Sequence, residues 1–287
     1  MGKIVGAAVV CHQPAIMAPR EFRERLGQGA DTSMIAGFTL VREAIDTVQA
    51  DTLVIFDTHW MTTVEHIYAG ADRYTGIYTS DELPLLITDH EYDYAGAPAL
   101  ARAIEGTAKE RNIPALNCTN TRVAQHYPTL NVLHYLKKGG KVEERVLSVG
   151  SCQTAQKHNF LDFGAALSAA IDRTDGRVVL LASGGMSHTF WPLDTIFDHS
   201  AYTTDNVRSP EARAMDERII DLWQDGDHAS VIDLHTEYLP FNPEGQFGHY
   251  LMMVGALGGR ACKARGRKMS NYENAVGTGQ VHMWFDV

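Results

Sequence analysis

Three apolar segments of this 287-residue chain each run into a polar stretch that contains a histidine. Short unbroken apolar runs of this kind predict strands that are buried on both faces. The segments are residues 3–10, 53–56 and 178–182, and the histidines that follow them are His12, His59 and His188. Because ligands of an open α/β sheet bind beyond the carboxyl ends of its strands, the arrangement predicts one crevice lined by histidines. The alternative is three capped strand ends with ordinary surface histidines.

Helical spacing of apolar residues predicts helices between these strands, near residues 36–48, 97–111, 160–171 and 211–223. We therefore expect a single catalytic domain of the α/β class over residues 1–287. Its large central sheet, mostly parallel or mixed, would be flanked by helices, with the active site at the strand carboxyl ends. Residues 15–31 and 235–249 are predicted as loops, and residues 278–285 as a closing strand.

Composition argues against nucleic acids and membranes as partners. The formal charge of −10 and the pI near 5.7 argue against nucleic-acid binding, since phosphates need a basic surface. No apolar run approaches the roughly 20 residues of a membrane span, and the N-terminal run is too short for a signal peptide. We expect a cytoplasmic protein without a membrane partner. The cysteines show no CxxC spacing, so reduced thiols are expected.

The converging histidines favour a metal site. Two neutral imidazoles and one carboxylate form the facial triad of non-haem Fe(II), although the same ligand types also suit zinc and manganese. We assign His12 and His59 as ligands and look for the carboxylate near residues 237–244, where composition does not choose between Glu237 and Glu244. His188 is predicted as an acid/base, because the free pKa of histidine lies near neutrality. Its structural alternative is a loop histidine packed under Phe190, a residue with no catalytic role.

Two more histidines and two neighbours of His59 complete the candidates. His235 and His249 lie close to the expected carboxylate and are kept as possible site residues. Asp57 and Thr58 directly precede His59, and we predict that they support its ring.

Seven segments carry a resemblance to a known family. They are CHQP (11–14), VIFDTHW (54–60), YTSDELP (78–84), LASGGMSH (181–188), MDER (215–218), PEGQ (243–246) and GTGQV (277–281). In this order they resemble the class III extradiol catechol dioxygenases, the superfamily of protocatechuate 4,5-dioxygenase β subunits. The chain is similar to the branch that contains 3,4-dihydroxyphenylacetate 2,3-dioxygenases. The segments span nearly the whole chain, so the match is specific for the family and less specific for the substrate.

The resemblance implies a set of roles. Fe(II) would be bound by His12, His59 and Glu244, which favours Glu244 over Glu237, and His188 matches the acid/base of the family. Many relatives have a second histidine where this chain has Tyr127, so either Tyr127 or the adjacent His126 would donate the corresponding hydrogen bond. The implied reaction is extradiol cleavage of a catechol by O₂ to a muconic semialdehyde in aromatic catabolism, by a homo-oligomer.

Two other functions are compatible with the same residues. A zinc-dependent hydrolase would use the two histidines and the glutamate to activate water, although the chain has no HExxH spacing. A binding protein of the same superfamily would keep the fold without the reaction.

Overall fold

A large mixed sheet flanked by helices forms the computed structural model of the protein, which describes residues 1–123 and 125–287. The strands are β1 Lys3–Val10, β2 Thr52–Thr62, β3 His66–Ala69, β4 Arg73–Tyr78, β5 His90–Ala95, β6 Ala115–Cys118, β7 Arg145–Cys152, β8 Arg177–Ser183, β9 Gly266–Lys268, β10 Glu273–Ala275, β11 Thr278–Gln280 and β12 Met283–Phe285. The α-helices are α1 Arg20–Leu26, α2 Met34–Thr47, α3 Pro98–Glu110, α4 Tyr127–Leu136, α5 Lys157–Asp172, α6 Pro210–Asp225, α7 His228–Tyr238 and α8 Gly248–Ala256.

The central sheet has the strand order β6-β3-β7-β2-β8-β1-β12-β9. The four middle strands β7, β2, β8 and β1 are parallel neighbours, and β3 and β12 join them in antiparallel pairing. Two separate hairpins, β4–β5 and β10–β11, lie outside this sheet. The predicted class, one α/β domain with a large mixed sheet and flanking helices, is therefore confirmed.

Both faces of the sheet are covered, as the unbroken apolar runs require. In β2, Leu53 and Ile55 pack into the core beneath α2 and α4, whereas Val54 and Phe56 pack into the core shared with α3, α5 and α8. Successive side chains of a strand point to opposite faces, so one short run feeds both cores. Each fully buried aliphatic or aromatic side chain contributes about 1.5–3 kcal/mol to this packing. None of the described helices combines the length and apolar character needed to cross a membrane.

Three local predictions were wrong. Residues 15–31 do not form a plain loop: a short 3₁₀ turn, Pro14–Met17, precedes α1. The segment 235–249 does not begin as a loop, because α7 continues to Tyr238 before the chain turns. The closing strand is divided, since β11 pairs with β10 while β12 pairs with β1 and β9.

Candidate metal centre

Two strand registers place the site. Val10 of β1 and Asp57 of β2 both pair with Ser183 of β8, which lies between them. His12 and His59 each follow two residues later, so both rings emerge at one level of the sheet edge. β1 and β2 are therefore parallel, as expected if their histidines line one crevice, although β8 lies between them.

His59 lies in an irregularity of β2 and not at a strand end. The pairing of β2 with β7 is regular up to Asp57 and resumes at Met61, which leaves three residues of the strand out of register. Asp57 holds this bulge, because its Oδ1 accepts hydrogen bonds from the backbone N–H groups of His59 and Trp60, both at 2.9 Å. A bulge of this type redirects a side chain. Asp57 therefore supports the backbone of His59, and the prediction that it holds the ring was wrong.

The structure brings together His12, His59 and Glu244, whose ligating atoms all lie within 4.8 Å of one another. Nε2 of His12 and Nε2 of His59 are each 3.1 Å from Oε1 of Glu244. Glu237 lies on the exposed face of α7 and does not take part. Of the two carboxylates between which composition did not choose, the geometry therefore favours Glu244.

A hydrogen-bond chain fixes the tautomer of His12. Nδ1 of His12 is 3.0 Å from Oγ of Ser183, and that hydroxyl donates to the carbonyl oxygen of Pro128 at 2.8 Å. A hydroxyl has one proton, so the Ser183 oxygen must accept from Nδ1. Nε2 of His12 then carries a lone pair that points at the cluster, which is the form that binds a metal.

Glu244 is buried and held by neutral donors as well as by histidines. Oγ1 of Thr58 donates to its Oε1 at 2.6 Å, and the backbone N–H of Gly185 donates to its Oε2. Burial alone would raise the pKa of Glu244, but the positive charges that His12 and His188 carry when protonated hold this pKa well below its usual range. The side chain therefore stays a carboxylate. Thr58 serves Glu244, so the prediction that it supports the His59 ring was wrong.

The turn after Glu244 is strained. Gly245, Gln246 and Phe247 have φ values of 55°, 57° and 62°, and only the first is a glycine. The left-handed conformation costs roughly 1–2 kcal/mol for each of the other two. His235 stabilises the turn, because its Nε2 donates to the carbonyl oxygen of Gln246 at 2.9 Å. His235 is therefore outside the ligand cluster and braces the turn that carries Glu244.

His188 lies beside the cluster and outside it. Its Nε2 is 3.9 Å from Oε2 of Glu244, its side chain is 24% exposed, and its ring contacts Phe190 edge to face at 4.9 Å. Burial lowers the pKa of His188, and the charge of Glu244 opposes this effect only in part. The imidazole is therefore neutral at neutral pH and has a lone pair available. His249 is buried behind Gly184. A Cβ atom added at Gly184 would lie 2.7 Å from the His249 ring.

Tyr127, at the start of α4, reaches the cluster. Its hydroxyl is 3.0 Å from Nε2 of His59 and donates to Oε2 of Glu82 at 3.1 Å. Burial foremost, followed by the charges of Glu82 and Glu244, raises the pKa of Tyr127, so the phenol keeps its proton. His126 contributes its carbonyl oxygen to the first turn of α4, and burial lowers the pKa of its ring.

Glu82 is a site residue that the sequence did not single out. Its Oε2 lies 3.5 Å from Nδ1 of His59 in addition to accepting from Tyr127. This contact is electrostatic and not a hydrogen bond: burial lowers the pKa of His59, and the charge of Glu82 is among those that outweigh burial and raise it. The acidic pair Asp81-Glu82 was visible in the YTSDELP segment that carries the resemblance, but no local pattern shows which of the two turns inward.

The chain is similar to a known protein family, to two dioxygenases and to one solved structure. Residues 6–285 match the family described as the catalytic LigB subunit of aromatic ring-opening dioxygenase. The chain is 31% identical over 272 residues to the 3,4-dihydroxyphenylacetate 2,3-dioxygenase of Escherichia coli, covering 90% of this chain and 91% of that enzyme. It is 21% identical over 247 residues to the 2-aminophenol 1,6-dioxygenase beta subunit of a Pseudomonas species, covering 83% and 80%. An uncharacterized protein of Escherichia coli K12, with 16% identity, a TM-score of 0.62 and coverage of 98% and 99%, shares the fold.

Proposed function

This chain belongs to the LigB family of catalytic subunits of aromatic ring-opening dioxygenases, and on that premise we propose a specific activity for it. It is a non-haem Fe(II)-dependent extradiol dioxygenase that inserts both atoms of O₂ into a catechol, such as 3,4-dihydroxyphenylacetate or another substituted catechol, to give a muconic semialdehyde. The observation that carries the proposal is the approach of two imidazole Nε2 atoms to one oxygen of Glu244, each at 3.1 Å.

The donor set fits the metal that the family implies. His12, His59 and Glu244 would hold Fe(II), because two imidazoles and one carboxylate leave positions for a chelating substrate and for O₂. The Nε2 lone pair of His12 and the ionised state of Glu244 both agree with ligation. When bound, the iron would supply the redox link between the catecholate and O₂, which otherwise react slowly because O₂ is a triplet.

The other residues of the site move or hold protons. His188, neutral at neutral pH, accepts the proton of a catechol hydroxyl at its free ring nitrogen and later returns that proton to an oxygen atom of the product as the ring opens. Tyr127 keeps its proton and acts as a hydrogen-bond donor, a role for which it is better placed than His126. Glu82 orients the Tyr127 hydroxyl, and its charge faces the ring of His59.

An oxygen-electrode experiment tests the activity. The protein is purified anaerobically, loaded with Fe(II) and offered 2-aminophenol and a panel of catechols that includes protocatechuate. We expect one O₂ consumed per catechol and a yellow ring-fission product. Absence of O₂ uptake with every compound, combined with metal-dependent hydrolysis of esters or amides, would favour the zinc hydrolase. Catechol binding without turnover would favour the non-enzymatic binding protein.

Two properties of the whole protein are part of the proposal. We place the enzyme in the cytoplasm as a homo-oligomer with one catalytic domain per chain. The family suggests the assembly, and one relative is named as a beta subunit. Light scattering coupled to size exclusion tests the oligomer, and a mass of one 31.7 kDa chain would contradict it.

A further inference from the structure

Asp216 is a carboxylate in the apolar stripe of an amphipathic helix. The buried positions of α6 follow helical spacing and are otherwise apolar: Ala212, Ile219, Ile220 and Trp223. Asp216 takes one of these positions and is 0% exposed. Burial of a charged group is costly unless hydrogen bonds compensate for it. An acid at such a position therefore needs an explanation, and the site described above does not include it.

Hydrogen bonds from four donors converge on this carboxylate. Oδ1 accepts from the backbone N–H of Ser187 at 3.1 Å and from the hydroxyl of Tyr238 at 2.6 Å. Oδ2 accepts from the hydroxyl of Ser187 at 2.7 Å and from that of Tyr272 at 2.6 Å. Burial raises the pKa of Asp216 to about 6, although these hydrogen bonds oppose the shift. At neutral pH the group is thus mainly ionised and able to accept from all four donors.

Two of these donors are the backbone N–H and the hydroxyl of Ser187, the residue before His188, so both its backbone and its side chain are fixed. The same loop is held on its other side by Gly279, whose N–H donates to the Ser187 carbonyl oxygen at 2.9 Å and whose carbonyl oxygen accepts from Met186 at 2.9 Å. The N–H of His188 itself donates to the carbonyl oxygen of Phe241 at 3.1 Å. The orientation of the His188 ring therefore depends on its edge-to-face contact with Phe190, on this backbone bond and on the fixed Ser187 that precedes it.

We propose that Asp216 is a positioning residue which, through Ser187, holds the imidazole of His188 in place for proton transfer. Asp216 does not touch the reacting atoms, so it is not a catalytic residue. The inference rests on the proposed role of His188 as the acid/base. It assigns a task to the MDER segment, which the metal centre leaves without one.

Steady-state kinetics of the iron-loaded enzyme tests the proposal. Asp216→Asn and Ser187→Ala should each lower kcat about 10- to 100-fold, because small displacements of a catalytic group have effects of this size. KM and the Fe(II) bound per chain should stay at wild-type values. The double variant should lose little more than either single variant, since both interrupt the same contact.

Tyr272→Phe is the matched control, because it removes one donor to Asp216 and leaves both Ser187 bonds intact. Its kcat should fall less than that of Ser187→Ala. If Asp216→Asn does not fold, Ser187→Ala alone decides. A wild-type kcat for Ser187→Ala, or a loss of bound iron in proportion to kcat, overturns the proposal in favour of a purely structural carboxylate.

NMR of the histidine rings in the metal-free protein separates this inference from the proposed activity. In Asp216→Asn and Ser187→Ala, the ring resonances of His188 should shift or broaden, while those of the exposed His134 should not. If wild type cleaves no catechol but the His188 resonances respond, the proposed function fails and the positioning role stands. Unchanged His188 resonances overturn the positioning role whatever the enzyme does.

Discussion

Glu244 and Asp216 are two buried carboxylates of one protein with opposite electrostatic environments. Both are buried, with 7% and 0% of the residue exposed. Neighbouring histidines hold the pKa of Glu244 well below its usual range, although burial alone would raise it. Burial raises the pKa of Asp216 to about 6, and its partners are hydroxyls and one backbone N–H.

The type of partner explains the difference. An imidazole can carry positive charge, and when neutral it has a lone pair that a metal can share with the carboxylate. A hydroxyl or amide donor stabilises a carboxylate but carries no net charge and is a poor metal ligand. The surroundings of Glu244 are therefore suited to hold a cation, whereas those of Asp216 are suited to fix a loop. Four predictions test this contrast.

The largest effect should follow replacement of Glu244. Glu244→Gln removes the charge that the two imidazoles share, so we expect Fe(II) to bind more than about 100-fold more weakly, since even partners of ligands are worth about 10- to 100-fold. Ring cleavage should fall to background with it. Iron content after desalting and competition with a chelator measure the change. Glu237→Gln, on the exposed face of α7, is the control and should behave as wild type; equal iron loss in both would refute the assignment.

A large effect of a different kind is expected at His188. His188→Ala should keep its iron and lose about 10²- to 10⁴-fold in kcat, the usual contribution of a positioned acid/base. His59→Ala should lose iron as well as turnover, because its Nε2 lies 3.1 Å from Glu244 in the ligand cluster. Metal analysis beside oxygen-electrode rates distinguishes the two. Iron loss of the same size in both variants would mean that the roles are assigned wrongly.

The sheet and its flanking helices could be predicted from the sequence where burial imposes a regular spacing of apolar residues. The run 53–56 could be assigned as a two-faced strand because each of its residues enters a core. By contrast, α1 has no buried residue, so it has no apolar stripe by which to predict it. The division of residues 278–285 between two sheets depends on which distant strand pairs with each half, which local pattern does not contain.

The site residues were likewise predictable where a local pattern marks them and not where a distant contact decides. His12 and His59 were visible because each follows a buried apolar run, and the registers with Ser183 bring them together. Glu82 was not predicted, since its contact with Tyr127 joins residues 45 positions apart. Asp216 did leave a signal, because an acid within the apolar stripe of residues 211–223 departs from the amphipathic pattern.

The pH dependence of stability should show the unusual environment of Asp216. The pKa of this group is about 6 in the folded protein and 3.8 is its ordinary value, so between these pH values the folded state binds more protons than the unfolded state. Its contribution to stability is therefore present below pH 3.8 and is lost as the pH rises toward 6, by about 3 kcal/mol in all. Asp216→Asn lacks this loss. Urea unfolding of the metal-free proteins should show that the free energy of unfolding of the variant, relative to wild type, increases from pH 4 to pH 7. A constant difference in the free energy of unfolding would contradict the raised pKa.

The smallest effect should come from Thr58, which stabilises Glu244 without contacting a metal. Thr58→Val keeps the shape of the side chain and removes the 2.6 Å hydrogen bond to Oε1. We expect Fe(II) to bind about 10-fold more weakly, the lower end of the range for partners of ligands. Thr62→Val is the matched control on the same strand, because its hydroxyl donates to the carbonyl oxygen of Glu65, away from the cluster. Chelator competition with both variants measures the difference. If Thr58→Val and Thr62→Val bind iron equally well, the Thr58 hydroxyl does not contribute to metal binding by Glu244. The imidazoles alone would then account for the difference between Glu244 and Asp216.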